Sequence, residues 1–207
     1  MNLSTLHHPS GGELIFDRIS GVLSYDQQDK IEKFFLSNEF PWYHHLNTVD
    51  PTSQESKLFD DFGFHTHNFL LKGKLKSPLF QEAINLIELG QFMKEYNISP
   101  NLYNAHISMF SQRDRIVIPP PHIDLRNCSH TVILYYINDC DGDTIFYNKC
   151  EKDDEELLSS NHKDMKEWRR ESPKKGDFLV FDGSIYHSPS CPIESRCRLS
   201  LNFDCKV

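Results

Sequence analysis

Phe178-Leu179-Val180-Phe181-Asp182-Gly183-Ser184-Ile185-Tyr186-His187 reads as a strand, a turn and the start of a second extended segment. Its first four residues form a short apolar run. Asp182-Gly183 then carries turn chemistry, because Asp bonds its own backbone and Gly accepts any φ. Similar punctuation, Pro173-Lys174-Lys175-Gly176, precedes the run. Further short β-rich runs broken by turn residues lie at Leu102 to Phe110, Thr131 to Ile137, Thr144 to Tyr147 and Arg198 to Phe203. Many short strands after Pro100 predict a β-sandwich or jelly roll for the second half.

The first half has a different rhythm. Leu14 to Val22 alternates and predicts a strand, and Ser24 is placed to cap a helix to about Ser37 with Ile31, Phe34 and Phe35 inward. Thr48 to Lys57 is polar and predicts a loop. Phe62 to Leu71 predicts a strand with Phe62, Phe64, Thr66 and Asn68 on one face. Ser77-Pro78 starts a second helix through Ala83, Ile84, Ile87 and Phe92, ending near Asn97. Helices first and strands afterwards make the fold class α+β. One domain over residues 1–207 is expected, with helical and strand support in 1–100 and a jelly-roll, or double-stranded β-helix, core in 101–207. Glu151 to Glu171 is acidic, then basic, and reads as a solvated excursion between strands; a substrate lid is the other reading.

The chain has 207 residues, 38% of them hydrophobic, and a formal net charge of −8. An acidic excess argues against a nucleic-acid backbone as main partner, since phosphate neutralisation needs a basic face. Met1 to Gly12 lacks the apolar stretch of a secretory signal, and no run approaches a membrane span. The six cysteines show no CxxC pair or zinc-ribbon spacing, so reduced thiols and a cytoplasmic location are expected. The oligomeric state is not legible.

His122-Ile123-Asp124 is the second decisive stretch. In an extended segment residues i and i+2 share a face, so His122 and Asp124 can reach one metal from a strand end. His187 follows downstream. Two histidines and one carboxylate suit a divalent iron that keeps coordination positions open. Pro119-Pro120-Pro121 stiffens the approach to His122. In the alternating run Arg198 to Phe203, Arg198, Ser200 and Asn202 share a face, and the arginine offers a charged fork for a carboxylate. Arg196 shares that alternation and competes for the role; the Ser200 that follows favours Arg198. A metal site beside a carboxylate clamp points to an enzyme with an organic-acid co-substrate.

Five ordered pieces carry a resemblance: Pro121 to Asp124, Thr131 to Asn138 with its Tyr-Tyr-Ile-Asn ending, Gly142 to Phe146, Phe181 to His187, and Arg198 to Phe203. Together they resemble the 2-oxoglutarate- and Fe(II)-dependent oxygenases, on the prolyl 4-hydroxylase-like branch, over about the last hundred residues. The resemblance implies His122, Asp124 and His187 as iron ligands. It implies Arg198, assisted by Ser200, on the distal carboxylate of 2-oxoglutarate, with Tyr136 adding a phenolic hydrogen bond. Implied cofactors are Fe(II), 2-oxoglutarate and molecular oxygen, with ascorbate as an additional reductant. The implied activity is a dioxygenase that hydroxylates a peptidyl residue such as proline, or a small metabolite, while 2-oxoglutarate becomes succinate.

The chain departs from the pattern twice. Phe110 stands where many relatives have a tyrosine, and His106 and Ser108 on its face are the candidates to compensate. Asp141-Gly142-Asp143-Thr144 replaces Gly-Gly-x-Thr. Two other classes stay open: a non-catalytic metal-binding jelly-roll protein, and a cupin-type metal isomerase, which would not need Arg198. Arg126 and Asn127 are read either as substrate-facing or as solvated loop. His7, His8, His44, His45, His65 and His67 lack a carboxylate at comparable spacing and are expected to be ordinary surface or core histidines.

Overall fold

In the computed structural model, which describes residues 1–45, 63–153 and 165–207, the elements follow in chain order. The first half holds β1 (Thr5–His7), β2 (Glu13–Ile19), α1 (Tyr25–Phe35), β3 (Tyr43–His45), β4 (Phe64–Leu71), β5 (Lys74–Leu75), α2 (Phe80–Leu86) and α3 (Leu89–Glu95). The second holds β6 (Leu102–Ser111), β7 (His130–Tyr136), β8 (Thr144–Cys150), β9 (Glu167–Glu171), β10 (Phe178–Asp182), β11 (Ile185–Pro189) and β12 (Cys197–Lys206).

Every residue of β7 is buried, because the strand has a core on each face. Ile133 and Tyr135 pack with Phe178 and Val180 of β10 and Leu199, Leu201 and Phe203 of β12 against the helices. Val132, Leu134 and Tyr136 pack with Leu179, Phe181, Phe146 and Ile185 between two sheets. The period-two alternation of side chains produces both cores from the same strands. On β12 the inward row is polar instead: Arg198, Ser200, Asn202 and Asp204 are all buried. Its first three members form the site floor.

The large sheet runs β1-β2-β10-β7-β12-β6-β4-β3, with β5 paired to β4, and the small one runs β11-β8-β9. All pairings are antiparallel. This is the jelly-roll core that the strand spacing predicts, with few helices outside it. The N-terminal residues do more than flank that core. β1 and β2 extend the large sheet beyond β10, and β4 and β3 extend it beyond β6. Arg18 of β2 ties the edge down, donating to Asp177 at 2.7 Å and to Glu171 at 3.1 Å.

Helix α1 starts as expected. Ser24 N–H donates to Gln27 Oε1 and Gln27 N–H donates to Ser24 Oγ, a reciprocal cap. Ile31 and Phe35 are fully buried. The second helix is two helices. Glu88 adopts a left-handed conformation between α2 and α3, with φ of 52°. The cause is a phase slip in the apolar pattern: Ala83 and Ile87 are four apart, but Leu89 follows after two. A continuous helix would turn Leu89 roughly 200° from Ile87, at about 100° per residue. The break buries Ile87, Leu89, Phe92 and Met93 together.

Glu167–Glu171 corrects the reading of 151–171 as an excursion, since it forms β9 and pairs with β8. Trp168 packs edge-on against His8 and Phe16, with ring centroids 4.6 and 5.6 Å apart. The middle of the lid candidate, 154–164, lies outside the described residues, as do Phe62 and the Thr48 to Lys57 loop. The six cysteines are unpaired. Among the described residues no helix is long and apolar enough to cross a membrane.

Candidate metal and carboxylate site

His187 follows the Asp182-Gly183 turn that carries the chain from β10 of the large sheet to β11 of the small one. Asp182 Oδ1 accepts from Ser184 N–H at 2.9 Å and from Ser184 Oγ at 2.6 Å, forming the turn. Gly183 is required at its tip, because a Cβ there would meet the His130 ring at 2.1 Å. The pairing of β11 with β8 shifts register between Ile185 and His187, a bulge of the kind that re-aims a side chain. His122 then joins His187 by an isolated bridge, with backbone bonds of 2.9 and 3.0 Å. Ser188 Oγ holds the proline approach by donating to Pro119 O at 2.6 Å.

These contacts bring together the three residues expected from spacing. One donor atom each from His122, Asp124 and His187 lie within 4.8 Å of one another. His122 Nε2 is 3.5 Å from Asp124 Oδ1, and His187 Nε2 is 3.7 Å from Asp124 Oδ2. His187 Nδ1 meets Ile185 O at 3.1 Å, which places the ring proton there and leaves the Nε2 lone pair inward. Burial pushes the His187 imidazole down to about 4, so it is neutral near pH 7. Burial also acts on His122, but the bond and charge of Asp124 outweigh it and raise that ring. Burial pushes the Asp124 carboxyl up; His187 and His122 overcome this and hold it well below the usual carboxylate range. An ionised carboxylate that draws a proton onto a facing nitrogen draws a divalent cation to the same point. The donor set therefore fits such an ion. Asn202 steadies it from behind, donating Nδ2–H to Asp124 Oδ2 at 3.2 Å, as outer-shell partners do in metal sites.

Arg198 lines the same cavity, of about 260 Å³. Only 2% of it is exposed. Its guanidinium donates to Gly142 O at 2.8 Å, Ser200 Oγ at 3.2 Å and Thr144 Oγ1 at 2.8 Å. Among the described residues no carboxylate lies within 4.0 Å of it, although Arg18 and Arg170 each have two such partners. Arg196 is exposed, so the register along β12 puts Arg198 and not Arg196 in the cavity.

The two departures from the family pattern acquire structure. Phe110 faces the guanidinium, with Arg198 Cζ 5.7 Å from its ring centroid, inside cation–π range. Phe64 stacks on Phe110 at 5.2 Å and 7°. His106 and Ser108 line the cavity alongside. Asp141 caps the loop before β12: its carboxylate accepts from the backbone N–H groups of Ile193, Glu194 and Ser195 at 2.8–2.9 Å. Gly142 has no room for a side chain, since a Cβ would meet Ser190 O at 2.7 Å.

Tyr136 lies beside the clamp: its buried phenol bonds Thr144 Oγ1 at 2.7 Å, and Arg198 Cζ is 5.8 Å from its ring centroid, while Thr144 itself lines the cavity. Thr144 is the residue that sequence reasoning missed as a site group. The signal was present, because Thr144 ends the Asp-Gly-Asp-Thr run, but its contact with Arg198 spans 54 positions. Arg126 and Asn127 are not among the cavity residues: Arg126 donates to Tyr186 OH at 3.0 Å, and Asn127 N–H donates to Glu151. His8 and His67 are core histidines, bonded to Tyr147 O and Pro41 O. Thr144→Val leaves the Tyr136 hydroxyl and one Arg198 N–H without partners. Urea unfolding is expected to show a loss of about 1–3 kcal/mol, the usual cost of an unsatisfied buried group. A loss below about 0.5 kcal/mol would show that Thr144 Oγ1 does not hold both Tyr136 and Arg198.

No protein-family model and no curated protein matches this sequence. Solved structures do. The non-heme alpha ketoglutarate dependent epimerase SnoN from nogalamycin biosynthesis aligns at 14% identity and TM-score 0.60, over 91% of this chain and 76% of that one. A prolyl-4-hydroxylase of Pseudomonas putida aligns at 14% identity and TM-score 0.53, over 93% and 92%. A prolyl hydroxylase from Trichoplax adhaerens, in complex with a hypoxia inducible factor oxygen degradation domain peptide fragment, aligns at 13% and 0.56, over 91% and 81%. The likeness is one of fold: the chain shares the jelly roll of the 2-oxoglutarate- and Fe(II)-dependent oxygenases.

Proposed function

We propose that the protein is an Fe(II)- and 2-oxoglutarate-dependent dioxygenase. The observation that carries this reading is Arg198, a buried cation without a carboxylate partner among the described residues, in the same cavity as the His122–Asp124–His187 cluster. A buried unpaired charge is costly, and an anionic ligand offsets that cost. A cupin-type isomerase or a silent metal-binding jelly roll would leave Arg198 with no anion to hold.

His122, Asp124 and His187 would hold Fe(II), leaving positions open, as a two-histidine, one-carboxylate set does. When bound, the metal supplies the oxygen chemistry that couples decarboxylation of 2-oxoglutarate to oxidation of a substrate. The chain's own residues orient the reactants. Arg198 grips the distal carboxylate, and Ser200 and Thr144 fix the plane of its fork. Tyr136 acts through Thr144, so Tyr136→Phe should weaken 2-oxoglutarate binding by no more than about 0.5–1.5 kcal/mol, the worth of one hydrogen bond. Phe64, Phe110, Pro119, Leu134 and Pro189 wall the cavity and exclude water from it. Ascorbate would serve as an external reductant. The substrate is a peptidyl residue or a small molecule, in line with the peptide-bound hydroxylase and the nogalamycin-biosynthesis epimerase of the same fold.

The test is turnover without substrate. Fe(II)-loaded protein in air should convert 2-oxoglutarate slowly to succinate, and chelation of the iron should stop it. Correctly folded, iron-loaded protein that fails to bind 2-oxoglutarate at all would falsify the family reading.

A further inference from the structure

Beyond Ser200 the cavity floor carries two polar side chains with no assigned partner for a ligand. On the paired strands β12 and β6, Asn202 lies directly opposite His106, one row past the pair Ser200–Ser108. At roughly 3.4 Å per residue, that row is about 14 Å along β12 from Arg198, at the Asp124 end of the cavity. Both side chains line the cavity. Asn202 is 8% exposed. Its amide nitrogen faces Asp124, and that carboxylate decides which end of the amide points where. The carbonyl oxygen is left buried without a hydrogen-bond partner among the described residues. His106 makes no side-chain hydrogen bond among them either.

A buried acceptor without a donor is costly to leave unsatisfied. Asn202 lines the cavity, and its amide lies beside Asp124, one of the residues that would hold the metal. We propose that His106 and Asn202 are the substrate-recognition pair, and that the group they hold is a neutral hydrogen-bonding one, a hydroxyl or a carboxamide, next to the carbon that is oxidised. The inference rests on the oxygenase reading above. Asn202 Oδ1 requires an N–H or O–H from the ligand, and a neutral imidazole adds one donor and one acceptor. A purely hydrocarbon group would leave Asn202 unsatisfied, and sites built to hydrogen-bond a substrate discriminate strongly against analogues that cannot. The 260 Å³ cavity is smaller than usual ligand pockets of about 300–1,000 Å³, and 2-oxoglutarate shares it. The reacting group is therefore the size of a side chain.

The experiment uses Co(II)-loaded protein saturated with 2-oxoglutarate and five probes: butyramide, 1-butanol, 1-chlorobutane, butyrate and butylammonium. Binding is read as paramagnetic broadening of each probe's proton NMR signals against a Zn(II)-loaded control. Butyramide or 1-butanol should broaden most, and with each variant brought to full Co(II) occupancy the effect should fall at least fivefold in His106→Ala and Asn202→Ala. His106→Gln, which keeps a donor and an acceptor, should retain most of it. Independently of any variant, the Zn(II) form should show proton–proton contacts between the bound probe and the His106 ring. The proposal is overturned if broadening is unchanged in the variants, or if the chloride, butyrate or butylammonium broadens most. It is also overturned if no probe binds while Co(II) and 2-oxoglutarate do, which would mean that the pair holds only water. Failure of Co(II) or 2-oxoglutarate to bind would instead remove the oxygenase reading, and this inference with it.

Discussion

His187→Ala is expected to lower affinity for Fe(II), or for Co(II) as a stand-in, by more than about 100-fold while the fold survives. Losing only an outer-shell partner of a metal ligand commonly costs about 10–100-fold, so losing the ligand itself sets that as a floor. The structure explains why the damage stays local. The surrounding strands are held by two apolar clusters that do not depend on the three ligands; the His187 ring touches one of them, meeting Phe181 edge-on with centroids 4.9 Å apart. Deleting the imidazole ring removes its bond to Ile185 O, but the 2.9 and 3.0 Å backbone bonds between positions 122 and 187 remain. Metal titration with a circular-dichroism melt on the same sample separates the outcomes. Full metal affinity in the variant would remove His187 from the site, and a collapse of the melt would show that it is part of the core instead.

What was readable in advance follows the range of the physics involved. The two-residue period of an extended chain predicted that His122 and Asp124 meet, which they do although the chain already bends at Asp124, and the same period sets Arg198, Ser200 and Asn202 in one row. Both are local rules, and the cavity contains all five residues. The Ser24 cap is equally local. The misreadings involve either competition between rules or distant partners. Ser77 to Asn97 has helix-forming composition throughout, yet the two-residue step from Ile87 to Leu89 breaks the apolar phase, and burial overrode propensity. Glu167–Glu171 is charged on its face, so its pattern resembles a loop; it is a strand because β8 offers an edge and Trp168 packs over Phe16. Tyr136 and Thr144 fall eight residues apart, and only the fold shows that one hydroxyl stands between the other and Arg198. The joining of β2 to β10 crosses most of the chain and leaves no local signature.

Arg198→Ala should weaken 2-oxoglutarate binding by about 2–5 kcal/mol, the range found when one partner of a buried, hydrogen-bonded charge pair is truncated. At about 1.4 kcal/mol per factor of ten, that corresponds to roughly 30- to 4,000-fold. Its large size follows from the surroundings. The guanidinium is held from three sides by Gly142 O, Ser200 Oγ and Thr144 Oγ1, so its fork needs little ordering when a carboxylate arrives. All three partners are neutral, which leaves the full charge for the ligand. Arg198→Lys should recover only part of the loss, since a lysine keeps the charge but not the planar fork or the contacts of Nε and both Nη atoms. Arg196→Ala is the control: the side chain is exposed, and its removal should leave affinity within about 0.5 kcal/mol of the parent, as for surface changes generally. Isothermal titration of 2-oxoglutarate into the metal-loaded variants measures all three. A damaging Arg196→Ala beside a harmless Arg198→Ala would mean that β12 is one side-chain row out of register, which would put Ser200 where Asn202 stands and move Asn202 past the cavity-lining row.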